Sequence, residues 1–197
     1  MKRFSILFAL VLGLSACGPL PITIDLLPPI QDAGLAEKSY NRPLEIEPGT
    51  DLSSLGTIAI ELPDENGLDL TFPAPPLPAR PTSLIFDFAV RLGYSLTCVE
   101  ALDGTITLRG YLAPEGPPWN DPIEGLSLSA SLKGSDEVLL EGRAGLTPAQ
   151  IEAILNGQVN LGLRLTIEDL AGRTQDCTPN LSFFYRIERA TIEARFL

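Results

Sequence analysis

A chain of 197 residues with 45% apolar content can bury a core of ordinary domain size and is too hydrophobic to be a disordered acidic tail. Its 14 lysines and arginines against 25 aspartates and glutamates leave a net charge of −11. That charge repels phosphate backbones and anionic headgroups, so nucleic-acid binding is disfavoured. No histidine occurs, which excludes Ser-His-Asp and Cys-His catalysis and every histidine-ligated metal site.

The chain opens with Lys2 and Arg3, runs through an apolar stretch from Phe4 to Leu14 broken only by Ser5, and reaches the small residue Ala16. Charge, short apolar core and small residue follow the order of a secretory signal, and the apolar run is too short to span a bilayer. The tetrad Leu14-Ser15-Ala16-Cys17 resembles the lipobox of bacterial lipoproteins. The resemblance implies a signal peptide over 1–16, cleavage before Cys17, and a diacylglyceryl group on its thiol, often with a further acyl chain on the new amino group. Two or more acyl chains hold a protein stably on a membrane, each buried CH₂ contributing about 0.8 kcal/mol. Residue 18 is Gly rather than Asp; in that family this favours the outer membrane where the cell has one. Membrane attachment is then through the N-terminal lipid, with the domain outside the cytoplasm.

Residues 17–43 read as a Pro-rich tether, punctuated by Pro19, Pro21, Pro28, Pro29 and Pro43, with Ile22–Leu26 as a first or edge strand. Residues 44–197 read as one domain, with a possible sub-boundary at the Pro-rich segment 73–81. Within it, alternation of apolar and polar residues dominates. Ile58, Ile60 and Leu62, then Leu68, Leu70 and Phe72 around Asn66-Gly67, predict a hairpin over 57–72. Leu84 to Leu92 predicts a long strand, Tyr94, Leu96 and Cys98 the next, and Asp103-Gly104 a turn into Thr105–Leu108. Further strands are expected at 126–132, 138–144, 159–167, 181–187 and 190–196, with Ala171-Gly172 as a turn. Thr147-Pro148-Ala149-Gln150 carries an N-cap threonine, a proline at the first helical position and a capping-box glutamine, so one short helix is expected near 148–156. The expected class is all-β and mainly antiparallel, a β-sandwich or barrel with that single helix.

Setting Cys17 aside leaves Cys98 and Cys177, an even pair in an oxidising compartment, which predicts a disulfide. These two cysteines and the lone tryptophan, Trp119, loosely resemble the immunoglobulin-like sandwich, which implies architecture only. Trp119 lies among Pro117, Pro118 and Pro122, a loop setting and not the buried strand of that pattern. It is a candidate partner contact, of the kind exposed aromatics make, against the blander reading of a loop tryptophan folded onto its own domain. Asp64 to Asp69 fails the EF-hand spacing and reads as a turn, and Asp169 to Asp176 reads as a solvated loop. No metal, cofactor or catalytic set is expected. The leading expectation is a lipid-anchored cell-envelope protein, a non-catalytic binding or scaffolding module whose partner is an envelope protein or a glycan. Two alternatives stand beside it: a carrier or chaperone of apolar ligands with a capped β cavity, and a carboxylate-based hydrolase.

Overall fold

The computed structural model describes residues 21–43, 46–133 and 136–196; the expected signal peptide and Cys17 lie outside them. Among the described residues ten strands form two antiparallel sheets of five. The first sheet contains β1 (Ile22–Asp25), β2 (Glu37–Pro43), β5 (Ser83–Thr97), β8 (Asp136–Gly145) and β10 (Asn180–Arg195). The second contains β3 (Ile58–Leu62), β4 (Leu68–Thr71), β6 (Val99–Ala113), β7 (Pro122–Lys133) and β9 (Gln158–Thr174). In the first, β1 and β2 share one edge of β10, followed by β5 and β8; in the second, β3 and β4 share one edge of β9, followed by β6 and β7.

The chain changes sheet after β2, β4, β5, β7, β8 and β9. Yet β5 pairs with β10, β6 pairs with β9, and β7 lies against β8. Nested antiparallel pairs rolled into two facing sheets define a double-sheet jelly roll. The core lies between the sheets. Phe86, Phe88, Ile106, Leu112, Leu165 and Ile192 are buried there, and side chains of this size contribute about 1.5–3 kcal/mol each when fully buried.

Several expectations are corrected. Residues 22–43 belong to the sandwich and are not a tether. β1 and β2 pair with β10, a short helix α1 (Leu27–Asp32) joins them, and Leu26 and Ile30 are buried. Pro28 and Pro29 fit because a first helical turn has no use for their missing N–H groups. Residues 57–72 are not a hairpin: β3 and β4 are both antiparallel to β9, so they run in the same direction. Pro63 cannot donate to the ladder, and Asn66-Gly67 closes a turn on Asp64, whose Oδ1 accepts from Asn66 N–H. The segment 73–81 passes from one sheet to the other and divides no domain, since both sides share one core.

Asp103-Gly104 lies inside β6, where the register slips on either side of Asp103. Asp103 Oδ1 accepts the Gly104 N–H at 2.9 Å, so that local bond produces an irregularity where a turn was expected. Likewise β9 continues through Ala171-Gly172. Residues 181–187 and 190–196 are one strand up to Arg195, bulged between Ile187 and Arg189.

The helix over 148–156 is present as α2 (Pro148–Asn156). Gln150 N–H donates to Thr147 Oγ1 at 3.3 Å, and Thr147 N–H donates to Gln150 Oε1 at 3.0 Å. Gln150 is buried and its Nε2 donates to Leu112 O at 3.0 Å, so the capping residue also fastens the helix to the end of β6. Among the described residues, no helix is long and apolar enough to cross a membrane.

Candidate functional site

Strand register sets what the outer face of the first sheet presents. Side chains facing the core alternate with those facing out, and on β10 the outward set includes Ser182, Phe184 and Arg186. Register carries these across the neighbouring strands in three rows. Asn41, Ser182 and Ser95 form one row; Ser39, Phe184, Gly93 and Glu137 form the next; Glu37, Arg186, Arg91 and Leu139 form the third. The first two rows, with Asp136, line an open trough of about 560 Å³. Phe184 is half-buried there, and its ring occupies the space a side chain at Gly93 would need: a Cβ at 93 would lie 2.0 Å from Phe184 Cε1. An aromatic laid over a cross-strand glycine shields backbone that has no side chain of its own.

The polar groups of the trough are loosely engaged. Ser182 Oγ lies 3.4 Å from Asn41 Oδ1 and 3.4 Å from Asn180 Nδ2, while Asp136 Oδ1 accepts the Glu137 N–H at 2.7 Å. The third row is closed by charge pairs. Arg186 grips Glu37 with two bonds of 2.8 and 3.2 Å; Arg91 reaches Glu188 at 2.5 Å and Glu137 at 3.3 Å. The Arg186 guanidinium holds the Glu37 carboxyl below its ordinary value, and Arg91 does the same to Glu188. Beneath the trough, on the core side, Tyr40 stacks on Phe183 at 4.7 Å. Burial pushes the Tyr40 and Tyr185 phenols above their ordinary range.

Trp119 sits on the outer face of the other sheet. It lies on Gly162, whose absent Cβ would meet the indole at 2.8 Å, and edge-on to Tyr111 at 5.5 Å. Its Nε1–H donates to Glu65 O at 2.6 Å. The Arg164 guanidinium lies 5.2 Å from the indole and 5.1 Å from the Tyr111 ring, and pairs with Glu61 at 2.7 Å. The indole is therefore half-buried against its own domain with its donor engaged.

Cys98 and Cys177 form a disulfide with Cα atoms 5.7 Å apart. The bridge does not lie in the core. Cys98 is the corner residue between β5 and β6, and Cys177 lies exposed in the connection from β9 to β10. It ties two chain reversals together at the end of the sandwich that also carries the trough. Two voids between the sheets are each about 10 Å³, room for a single water. Among the described residues no group of three or more acidic or cysteine side chains is placed to hold a metal.

Sequence reasoning missed Phe184 and Gly93. A signal was there: Phe183-Phe184 are adjacent aromatics in a strand, so alternation sends one of them outward.

No protein-family model and no curated protein matches the chain. Solved structures are similar to the chain only at low scores. A Triatoma virus structure is 14% identical with a TM-score of 0.33, over 75% of this chain and 66% of that one, just under two thirds of its length. Turnip yellow mosaic virus gives 11% and 0.25, over 91% and 83%. TmCBM61, solved in complex with β-1,4-galactotriose, gives 12% and 0.27, over 86% and 88%. The jelly-roll assignment rests on strand order.

Proposed function

We propose that this chain is a lipid-anchored cell-envelope protein whose sandwich serves as a non-catalytic binding or scaffolding module. The carrying observation is the sequence Leu14-Ser15-Ala16-Cys17 at the end of an apolar run headed by Lys2-Arg3. With β1 starting at Ile22, only residues 18–21 separate Cys17 from the sheet. Five extended residue steps reach about 17 Å, so an anchored domain stays close to the bilayer. Gly18 in place of Asp favours the outer membrane.

Packing and charge support the non-catalytic reading. The small voids between the sheets favour a filled sandwich over a carrier with an internal cargo cavity. Asp87, Glu141, Glu188 and Glu193 on the first sheet are each held by arginine, which favours a structural use of these carboxylates over hydrolysis.

The test is processing. Cys17→Ala is expected to leave an unlipidated, uncleaved precursor, and globomycin to block the cut before Cys17, so both should leave a chain that still carries residues 1–16. Unchanged mobility and an unchanged N-terminus in both cases would overturn the anchor.

A further inference from the structure

We infer that the trough on the outer face of the first sheet binds a neutral saccharide, with Phe184 as the stacking platform and Asn41, Ser95, Ser182 and Asp136 as hydrogen-bonding partners. This deepens the binding-module reading by naming a ligand class; the chemistry of the trough does not depend on the lipid.

The first argument is the aromatic itself. Elsewhere on this face the outward residues of β10 are mostly charged and paired: Arg186 with Glu37, Arg189 with Asp87 and Glu141, and Glu193 with Arg143 and Arg195. Phe184 breaks that rule. Gly93 lets its ring sink into the sheet, and the part left uncovered lines the trough. An aromatic ring with one side backed by protein is a rigid apolar platform that loses little conformational freedom when a ligand covers it.

The second argument is the polar surround. Serine hydroxyls both donate and accept, an asparagine amide does both through separate atoms, and an ionised aspartate accepts twice. Ser182 and Asn41 hold each other only at 3.4 Å, which leaves them capacity for an incoming partner. Vicinal hydroxyls ask for this mixture, whereas an apolar peptide side chain would leave it unpaired.

The third argument is charge. Among the described residues no arginine or lysine lines the trough, and Arg91 and Arg186 in the adjoining row are already held by carboxylates. With Asp136 and Glu137 at one rim and a net charge of −11, a phosphorylated or otherwise anionic ligand is repelled. A neutral molecule with an apolar C–H face and a fringe of hydroxyls remains, which describes a pyranose. The volume of about 560 Å³ falls within the range of about 300–1,000 Å³ common to small-ligand sites.

The test uses the full chain purified in detergent, titrated by calorimetry and by NMR with β-1,4-linked trisaccharides of glucose, galactose and N-acetylglucosamine. At least one is expected to bind and to shift resonances of residues 39–41, 93–95 and 182–184. Phe184→Ala should weaken it by about tenfold or more, as removing the stacking and the buried area together implies. Phe184→Leu retains apolar cover over Gly93, so it should keep the melting temperature yet still lose affinity. Asn41→Ala with Ser182→Ala, both at exposed or half-buried positions, should weaken binding while the fold is kept. Binding of none of the three sugars, equal binding by Phe184→Leu, or shifts confined to other residues would overturn the inference. Capture of a protein or peptide in the trough with no response to sugar would overturn it as well. Unchanged processing of Cys17→Ala would overturn the anchor and leave these titrations untouched, so the two readings fail separately.

Discussion

The disulfide offers the sharpest quantitative test of how this fold is held. Cys98 and Cys177 are 79 residues apart in sequence, and between them run all of β6, β7, β8, α2 and β9. Closing a loop of that length removes denatured-state entropy equivalent to about 4.5 kcal/mol at 25 °C. Neither cysteine fills the core, so Cys98→Ala with Cys177→Ala opens no internal cavity and the cost reports the cross-link alone. For an ordered domain of this size the melting temperature should fall by about 9–18 °C. The wild-type protein in reductant should melt with the double variant, because the same bond is missing from both. Cys98 also has a backbone φ of +61°, a conformation that costs a residue with a Cβ about 1–2 kcal/mol and glycine almost nothing. Cys98→Gly with Cys177→Ala should therefore recover a few degrees relative to the alanine pair. Circular-dichroism melts with and without reductant measure all of these, and thiol labelling of the exported protein without reductant should miss both residues. If breaking the bridge moves the midpoint by less than about 3 °C, the loop-closure reasoning is wrong.

Two further outcomes follow from the outer faces. Gly162→Ala would place a Cβ 2.7 Å from Pro118 Cγ and 2.8 Å from the indole of Trp119; it should lift the tryptophan, shift its fluorescence to the red and cost about 1–3 kcal/mol in urea titration, and an unshifted spectrum would show that the indole does not rest there. Glu37, Glu188 and Glu193 are held below their ordinary value of 4.5 chiefly by hydrogen bonds from Arg186, Arg91 and Arg195. Since the folded value is the lower one, their contribution is complete above about pH 4.5 and is lost as pH falls through the folded values. Melting temperature should decline on acidification below that point, and the decline should shrink in high salt because these pairs are exposed; a flat profile between pH 5 and 3 would refute the linkage.

What the sequence made legible was local. The capping box at Thr147 and Gln150 needs only four residues to specify itself, and α2 starts where it predicts. The inward faces of β5, β9 and the first half of β10 follow from alternation, because one side of each strand meets the core. Errors arose wherever long-range pairing overrode a local signal. Asp103-Gly104 and Ala171-Gly172 read as turns, yet β6 is paired with β7 and β9 on its two sides at Asp103, and β9 is held at Ala171 and Arg173 by pairing with β6, which carries the chain through both. The bulge beside Glu188 swaps the inward set from odd to even residue numbers, so one strand looked like two. The expected edge strand at Ile22–Leu26 is present as β1, but prolines concealed α1 and β2, and the place of β1 and β2 in the sandwich is decided by pairing with β10, about 150 residues further along. The trough was hidden for the same reason. Its floor joins residues 39–41, 93–95, 136–137 and 182–184, and no local pattern announces that these four strands lie side by side.

The direction of β10 ties the two proposals into one geometry. Ile22 pairs with Ala194 near its end, whereas Phe184 and Ser182 lie near its start. Ten residues of strand separate Ala194 from Phe184, about 34 Å at the usual rise. On the proposed anchor, the short reach from Cys17 to Ile22 keeps the Ala194 end beside the membrane. The trough and the disulfide then stand at the far end. A sandwich held this closely at one pole has its approach to large ligands restricted there, so the opposite pole is where a binding surface is most accessible. It is also where the charge pairs on this face of β10 give way to Phe184, Ser182 and Asn41. Lipid attachment and ligand recognition are thus assigned to opposite ends of one strand. The features supporting them, a tetrad in the first 17 residues and a cross-strand aromatic on glycine, are independent of each other.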